Sequence, residues 1–142
     1  MIVTVTPNPI ERGKYYSVVF DPKKAGDFGT GGWGPDWPNA STVIPPLFDS
    51  RVNLSSASNG QDYGWYQSDA TNSAIDAAYN ESDPAKRNAM WGDLDEALAK
   101  EVAYIPLDNP RFPRLHGSGV TNYQEDAASN GYPDLGTVGA TS

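Results

Sequence analysis

The chain has 142 residues, within the range of one compact domain, so two independently folded domains are not expected. Ten Lys and Arg against eighteen Asp and Glu leave a net charge of −8, which disfavours a broad electrostatic grip on nucleic acid or an anionic membrane. Cysteine is absent and His116 is the sole imidazole, which excludes disulfides, thiolate metal sites, cysteine nucleophiles and multi-histidine metal centres; no metal and no cofactor are expected.

Residues 2–6, Ile-Val-Thr-Val-Thr, alternate apolar with hydroxyl and predict a strand with one buried face. Asn8-Pro9-Ile10-Glu11 reads as a helix start, with Asn8 as cap and Pro9 at the first helical position, and the helix is expected to run to about Asp21, before Pro22. Asp27 and Phe28 are expected to form a second short strand. Residues 29–68 show little periodicity and many Gly, Pro, Ser and Asn, the pattern of long shaped loops, with 50–64 as a surface excursion.

Helical order is clearer afterwards. Ala74, Ile75, Ala78 and Tyr79 form one apolar stripe, with Asp69 as the expected cap. Asp83-Pro84 opens a second helix, acid at N-cap and proline at N1, along which Met90, Trp91, Leu94, Leu98 and Val102 follow helical spacing. Residues 103–107 predict a short strand that Pro106 confines to an edge or an end. The remainder is loop-rich, with strands expected around Leu115 and over 135–138. No uncharged apolar run reaches the roughly eighteen residues of a membrane span, and the opening has no basic-then-apolar leader pattern. The alternation of strand and helix predicts an α/β layer, in a single domain over 1–142.

Gly29-Thr30-Gly31-Gly32-Trp33-Gly34 matches the dinucleotide fingerprint Gly-x-Gly-x-x-Gly, but that chemistry needs a helix N-terminus immediately afterwards to receive the pyrophosphate, and Pro35-Asp36-Trp37-Pro38 follows instead. A turn needing positive φ is the stronger reading. Around Ser118 the nucleophile-elbow spacing fails, because His116 and Val120 stand where glycines are required. Asp36, Asp49, Asp62 and Asp69 lie among aromatics, yet spacing along the chain cannot establish the carboxylate separation of glycoside hydrolysis.

The unusual constellation is Trp33-Gly34-Pro35-Asp36-Trp37-Pro38, two indoles bracketing one carboxylate in a stiff turn. Indole walls exclude water and lower the local dielectric, so Asp36 could pair with an ammonium group lodged between Trp33 and Trp37. The residues alone leave a second reading open: a packed corner in which Asp36 caps a turn and the tryptophans fill core.

The order of signals resembles the closing portion of family 5 extracellular solute-binding proteins, the peptide, dipeptide and nickel receptors of ABC importers. The resemblance is carried by Gly32-Trp33-x-x-Asp36-Trp37-Pro38, the helix near Asn72 with Ile75-Asp76, Ser82-Asp83-Pro84-x-x-Arg87, Trp91-x-x-Leu94-Asp95-x-x-Leu98 and Tyr104-Ile105-Pro106-Leu107. The tail, Leu115 to Val120 and Pro133-Asp134-Leu135, is similar to actinobacterial members.

The resemblance implies part of the C-terminal lobe of a two-lobed, type II periplasmic-binding-protein-like fold. A missing N-terminal lobe would complete the pocket, and ABC permease subunits would receive the ligand. It implies an extracytoplasmic receptor, periplasmic or anchored as a lipoprotein, that captures peptides or similar amine-bearing solutes without catalysis. By motif position the acid that holds the ligand's α-amino group is Asp36, the pocket indole is Trp33, and Trp37 is the neighbouring wall. The nickel branch is disfavoured by the single imidazole. Two rival readings stand beside this one: an acidic, aromatic-rich carbohydrate-binding module stacking sugars on Trp33, Trp37 and Trp65, and a small hydrolase built around His116.

Overall fold

The computed structural model describes residues 3–54, 60–107, 111, 113–126, 129 and 131–141. Its architecture is mixed helix with small sheets. Helices α1 (Tyr15–Val19), α2 (Ile44–Phe48), α3 (Ser50–Asn53), α4 (Asp69–Asn80) and α5 (Pro84–Lys100) are followed by strands β1 (Val120–Thr121), β2 (Glu125–Asp126), β3 (Tyr132–Pro133) and β4 (Gly139–Ala140). Two 3₁₀ turns, Arg12–Lys14 and Ala40–Thr42, precede α1 and α2.

The two long helices start where side chains satisfy their free amides. Ser68 caps α4 by accepting the Thr71 N–H at 3.2 Å, so Asp69 sits one position inside the helix, beside its positive end, and not at the cap. Asp83 caps α5 as expected, accepting from Ala85 and Lys86 at 2.8 and 3.3 Å, with Pro84 in the first turn. The buried faces follow from the periodicity: Ile75 and Ala78 of α4 meet Trp91, Leu94 and Leu98 of α5, and Ile44 of α2 closes the cluster. Phe48 sets its ring edge against Tyr66 and tilts over Tyr104, each at 5.9 Å.

The end of α5 departs from the expected stripe. Val102 lies beyond the helix at φ +56° and is 65% exposed. The Ala103 N–H reaches the Leu98 carbonyl at 3.0 Å and the Val102 N–H reaches Ala99 at 3.1 Å, the paired bonds of a Schellman ending, with valine where glycine is preferred. The chain leaves that turn without pairing, so 103–107 is not a strand, and Ile105 and Leu107 are exposed.

A polar tie joins the short helices to α4. Asp49, nearly buried, caps α3 by accepting the Arg51 N–H at 3.0 Å, and the Arg51 guanidinium bonds both Asp49 and Asp76. These bonds hold the carboxyls of Asp49 and Asp76 below the usual carboxylate range. Asn72 returns from α4 with both ends of its amide engaged, accepting the Ser50 N–H and donating to the Ser50 hydroxyl. The described parts of 29–68 are thus more ordered than their composition predicts. Pro45 and Pro46 suit the first turn of α2, where a missing N–H costs nothing, and Asn53 and Asp62 are buried.

At the N-terminal end, residues 3–6 are exposed and form no strand, since no neighbouring strand offers them a ladder among the described residues; residue 2 lies outside those residues. The helix expected from Asn8 to Asp21 forms only from Arg12 to Val19, with Val19 its one buried residue, because the segment has little core to pack upon. Residues 27 and 28 are a bend, with Phe28 78% exposed.

At the C-terminal end, β1 pairs with β4 (Val120 with Ala140) and β2 with β3 (Glu125 with Pro133), both antiparallel and nested. Leu115 is exposed and not in a strand, and 135–137 is a turn leading into β4. The chain is broadly α/β, a helical core with two small separate sheets whose ladders are two residues long per strand. Among the described residues no helix is long and apolar enough to cross a membrane.

Two exposed positions on α5 and its C-terminal turn work against their own backbone. Gly92 stands mid-helix with open space where a Cβ would go, and Val102 occupies a left-handed turn. Gly92→Ala and Val102→Gly are each expected to stabilise the fold by about 1 kcal/mol in urea unfolding.

Asp62 supplies the pH dependence. It is 1% exposed, its Oδ1 accepts the Gly64 N–H at 2.9 Å, and burial pushes its carboxyl up to about 6. Between pH 3.8 and about 6 the folded chain keeps a proton on Asp62 that the unfolded chain has released. Stability therefore falls by about 3 kcal/mol as pH rises across that window, and this contribution is flat above it. The Arg51 pairs act with the opposite sign lower down, losing stability as pH falls through and below the ordinary carboxylate range. Asp62→Asn is expected to abolish the upper decline and keep the acid-side loss, read from urea midpoints over a pH series.

Candidate functional site

The segment between the glycine-rich stretch and α2 is fixed at three points. Tyr15 donates its hydroxyl to the Thr30 carbonyl, and Tyr63 donates its hydroxyl to the Gly32 carbonyl at 2.9 Å. Tyr63 itself stacks on Phe20 at 5.2 Å, with Tyr16 packed beside both. A Cβ at Gly31 would lie 2.5 Å from the Tyr63 ring, so glycine is required there by close approach to a phenol. The Gly-x-Gly-x-x-Gly string is a strap between tyrosines, with no helix following it.

The third point is Thr42, a buried residue of the 3₁₀ turn Ala40–Thr42. Its carbonyl accepts the Trp33 indole N–H at 2.7 Å, and its hydroxyl accepts the Asp36 backbone N–H at 3.2 Å while donating to the Asn39 carbonyl. Asn39 holds the turn by accepting the Ser41 N–H through its side chain at 2.9 Å. One threonine thereby sets both the indole of Trp33 and the backbone of Asp36. The residue type gave no advance sign of this, since Thr42 lies in a stretch without periodicity.

Asp36 is exposed, and its carboxylate meets no hydrogen-bond donor or ion-pair partner among the described residues. Trp33 is 37% exposed and Trp37 55%. The three residues singled out in the sequence are therefore neighbours on one anchored turn, but they do not line one cavity. Trp37 faces an open groove of about 450 Å³ with Ser41, Tyr79, Arg87 and Trp91. A second open groove of about 510 Å³ runs on the far side of Pro38 and Asn39, along Ile44, Trp91 and Gly92. Neither is lined by Trp33 or Asp36.

No family model, curated protein or solved structure matches this chain. The chemistry of the turn is thus argued from its own residues. Trp65 is half-buried with φ +52°, and only Trp37 of the three indoles Trp33, Trp37 and Trp65 is more than half exposed. His116 is exposed; its ring stacks on Tyr123 at 4.8 Å and its Nδ1 lies 3.2 Å from the Gly117 carbonyl, with no serine or carboxylate bonded to it among the described residues.

The groove residues Tyr79, Arg87 and Trp91 were legible only as helix-face residues, because it is the packing of α4 on α5 that brings them to Trp37. Thr42→Val removes the hydroxyl but keeps the carbonyl. Hydrogen exchange is expected to speed up at the Asp36 amide while the Trp33 indole N–H stays protected, with a stability loss of about 1 kcal/mol.

Proposed function

We propose that this chain is part of the C-terminal lobe of a peptide-type ABC importer receptor, a two-lobed, type II binding protein outside the cytoplasm. In this reading it captures peptides or similar amine-bearing solutes non-covalently, and closure on the ligand prepares it for a membrane permease. The observation that carries the reading is the state of Asp36: its backbone is tethered to Thr42, and its carboxylate is left without an intramolecular partner, among the described residues, beside two partly open indoles. A receptor for an ammonium group requires that combination, a fixed anion whose charge is not already spent.

Two further features support it. Phe28, Leu107, Leu115 and Leu135 are largely exposed, as apolar surface awaiting a second lobe would be. Asp36 and Trp33 line neither groove, so in this reading their ligand site is completed by a facing lobe. A carbohydrate-binding strip would instead need three open indole faces, and Trp33 and Trp65 are the less available two.

Titration calorimetry of the two-lobed receptor, comparing a free-amine peptide with its N-acetylated form, tests this. Acetylation and Asp36→Asn are each expected to weaken binding by roughly 2 to 5 kcal/mol, because either leaves one buried charge without its partner. Equal affinities for the two peptides, or an unaffected Asp36→Asn variant, would remove the role given to Asp36.

A further inference from the structure

The groove under Trp37 has a chemistry opposite to that of Asp36. Its lining is aromatic, with Trp37, Tyr79 and Trp91, the last two edge to face at 5.5 Å and 85°. Its charge comes from Arg87, half-buried on α5. That guanidinium donates to the Glu81 carbonyl at 3.1 Å and makes no ion pair among the described residues.

In a chain of net charge −8, a half-buried arginine without a carboxylate partner is unexpected. The nearest acids in sequence are engaged elsewhere: Glu81 accepts the Asp83 N–H at 2.7 Å, and Asp83 caps α5. No acidic residue lines the groove among the described residues. Trp91 also lines the groove, with its indole N–H buried and without a hydrogen-bond partner among the described residues.

We propose that this groove binds small arylalkanoate anions, the carboxylate accepting from Arg87 and the ring lying between Trp37 and Tyr79. Arginine suits the carboxylate because its planar fork offers paired donors, four of whose N–H groups are not used by Glu81. The aromatic walls supply the area that a lone ion pair in water would lack. Ligands of this class carry no amine, so their binding is independent of the ammonium chemistry assigned to Asp36, although Trp37 borders both places.

The test is a titration of the full chain with 3-phenylpropionate, with its uncharged amide and with acetate, followed through the indole N–H resonances of the four tryptophans by NMR. The acid is expected to give saturable shifts at Trp37 and Trp91 while Trp65 stays still. The amide should bind about tenfold or more weakly, and acetate more weakly again. Arg87→Gln should lower the affinity for the acid to that for the amide, and Arg87→Lys should recover only part of the difference. Equal binding of acid and amide, shifts that bypass Trp37 and Trp91, or an Arg87→Gln variant with undiminished affinity would each overturn the proposal. The acid and amide are compared on the unsubstituted chain, so that comparison remains decisive even if Arg87→Gln fails to fold.

Discussion

The burial of Trp91 is the constraint on which the rest of the structure turns. Trp91 belongs to the core cluster with Ile44, Ile75, Ala78, Leu94 and Leu98, and it also lines both grooves. Burying an indole removes a large apolar area from water, and it also commits the helices that surround it to fixed positions. The 3₁₀ turn Ala40–Thr42 packs against α5 and α2 as a consequence, and the turn bearing Trp33 and Asp36 hangs from Thr42. Core and candidate site therefore share one structural support.

Charge is distributed in a way that separates structural from available groups. Arg51 is engaged by Asp49, Asp76 and the Asn72 carbonyl, and it binds α3 to α4. Asp62 is buried and engaged with the backbone of the turn after it. Asp36 and Arg87 differ from these: each is held in place through the backbone or by a single carbonyl, and each keeps its charge without an ionic partner among the described residues. Asp36 and Arg87 are the groups on which the two proposed binding sites rest.

The glycine-rich stretch shows how a motif acquires its meaning from the element on its C-terminal side. The same spacing that cradles a pyrophosphate ahead of a helix here allows Tyr63 to lie against Gly31 and to bond Gly32. Without a helix N-terminus the dinucleotide reading lacks its array of free amides, and the glycine that the packing requires is Gly31. Trp33 and Asp36 inherit a strap that is clamped before them by tyrosines and after them by threonine.

The long helices were written in the sequence, because an apolar residue every three or four positions and an Asp-Pro start are local instructions that α4 and α5 obey with little help. The turn around Asp36 was legible too, as a rigid arrangement of Trp, Pro and Asp. Its anchoring on Thr42 and its separation from the Arg87 groove were not, for they join residues on different elements. The strands expected over 3–6, 27–28 and 103–107 are absent for a related reason: alternation specifies a face, but a strand exists only where another backbone is present to pair with it. Local periodicity and capping determined the helices of this protein, and the tertiary packing of α4, α5 and α2 around Trp91 decided which charges were left without an ionic partner among the described residues.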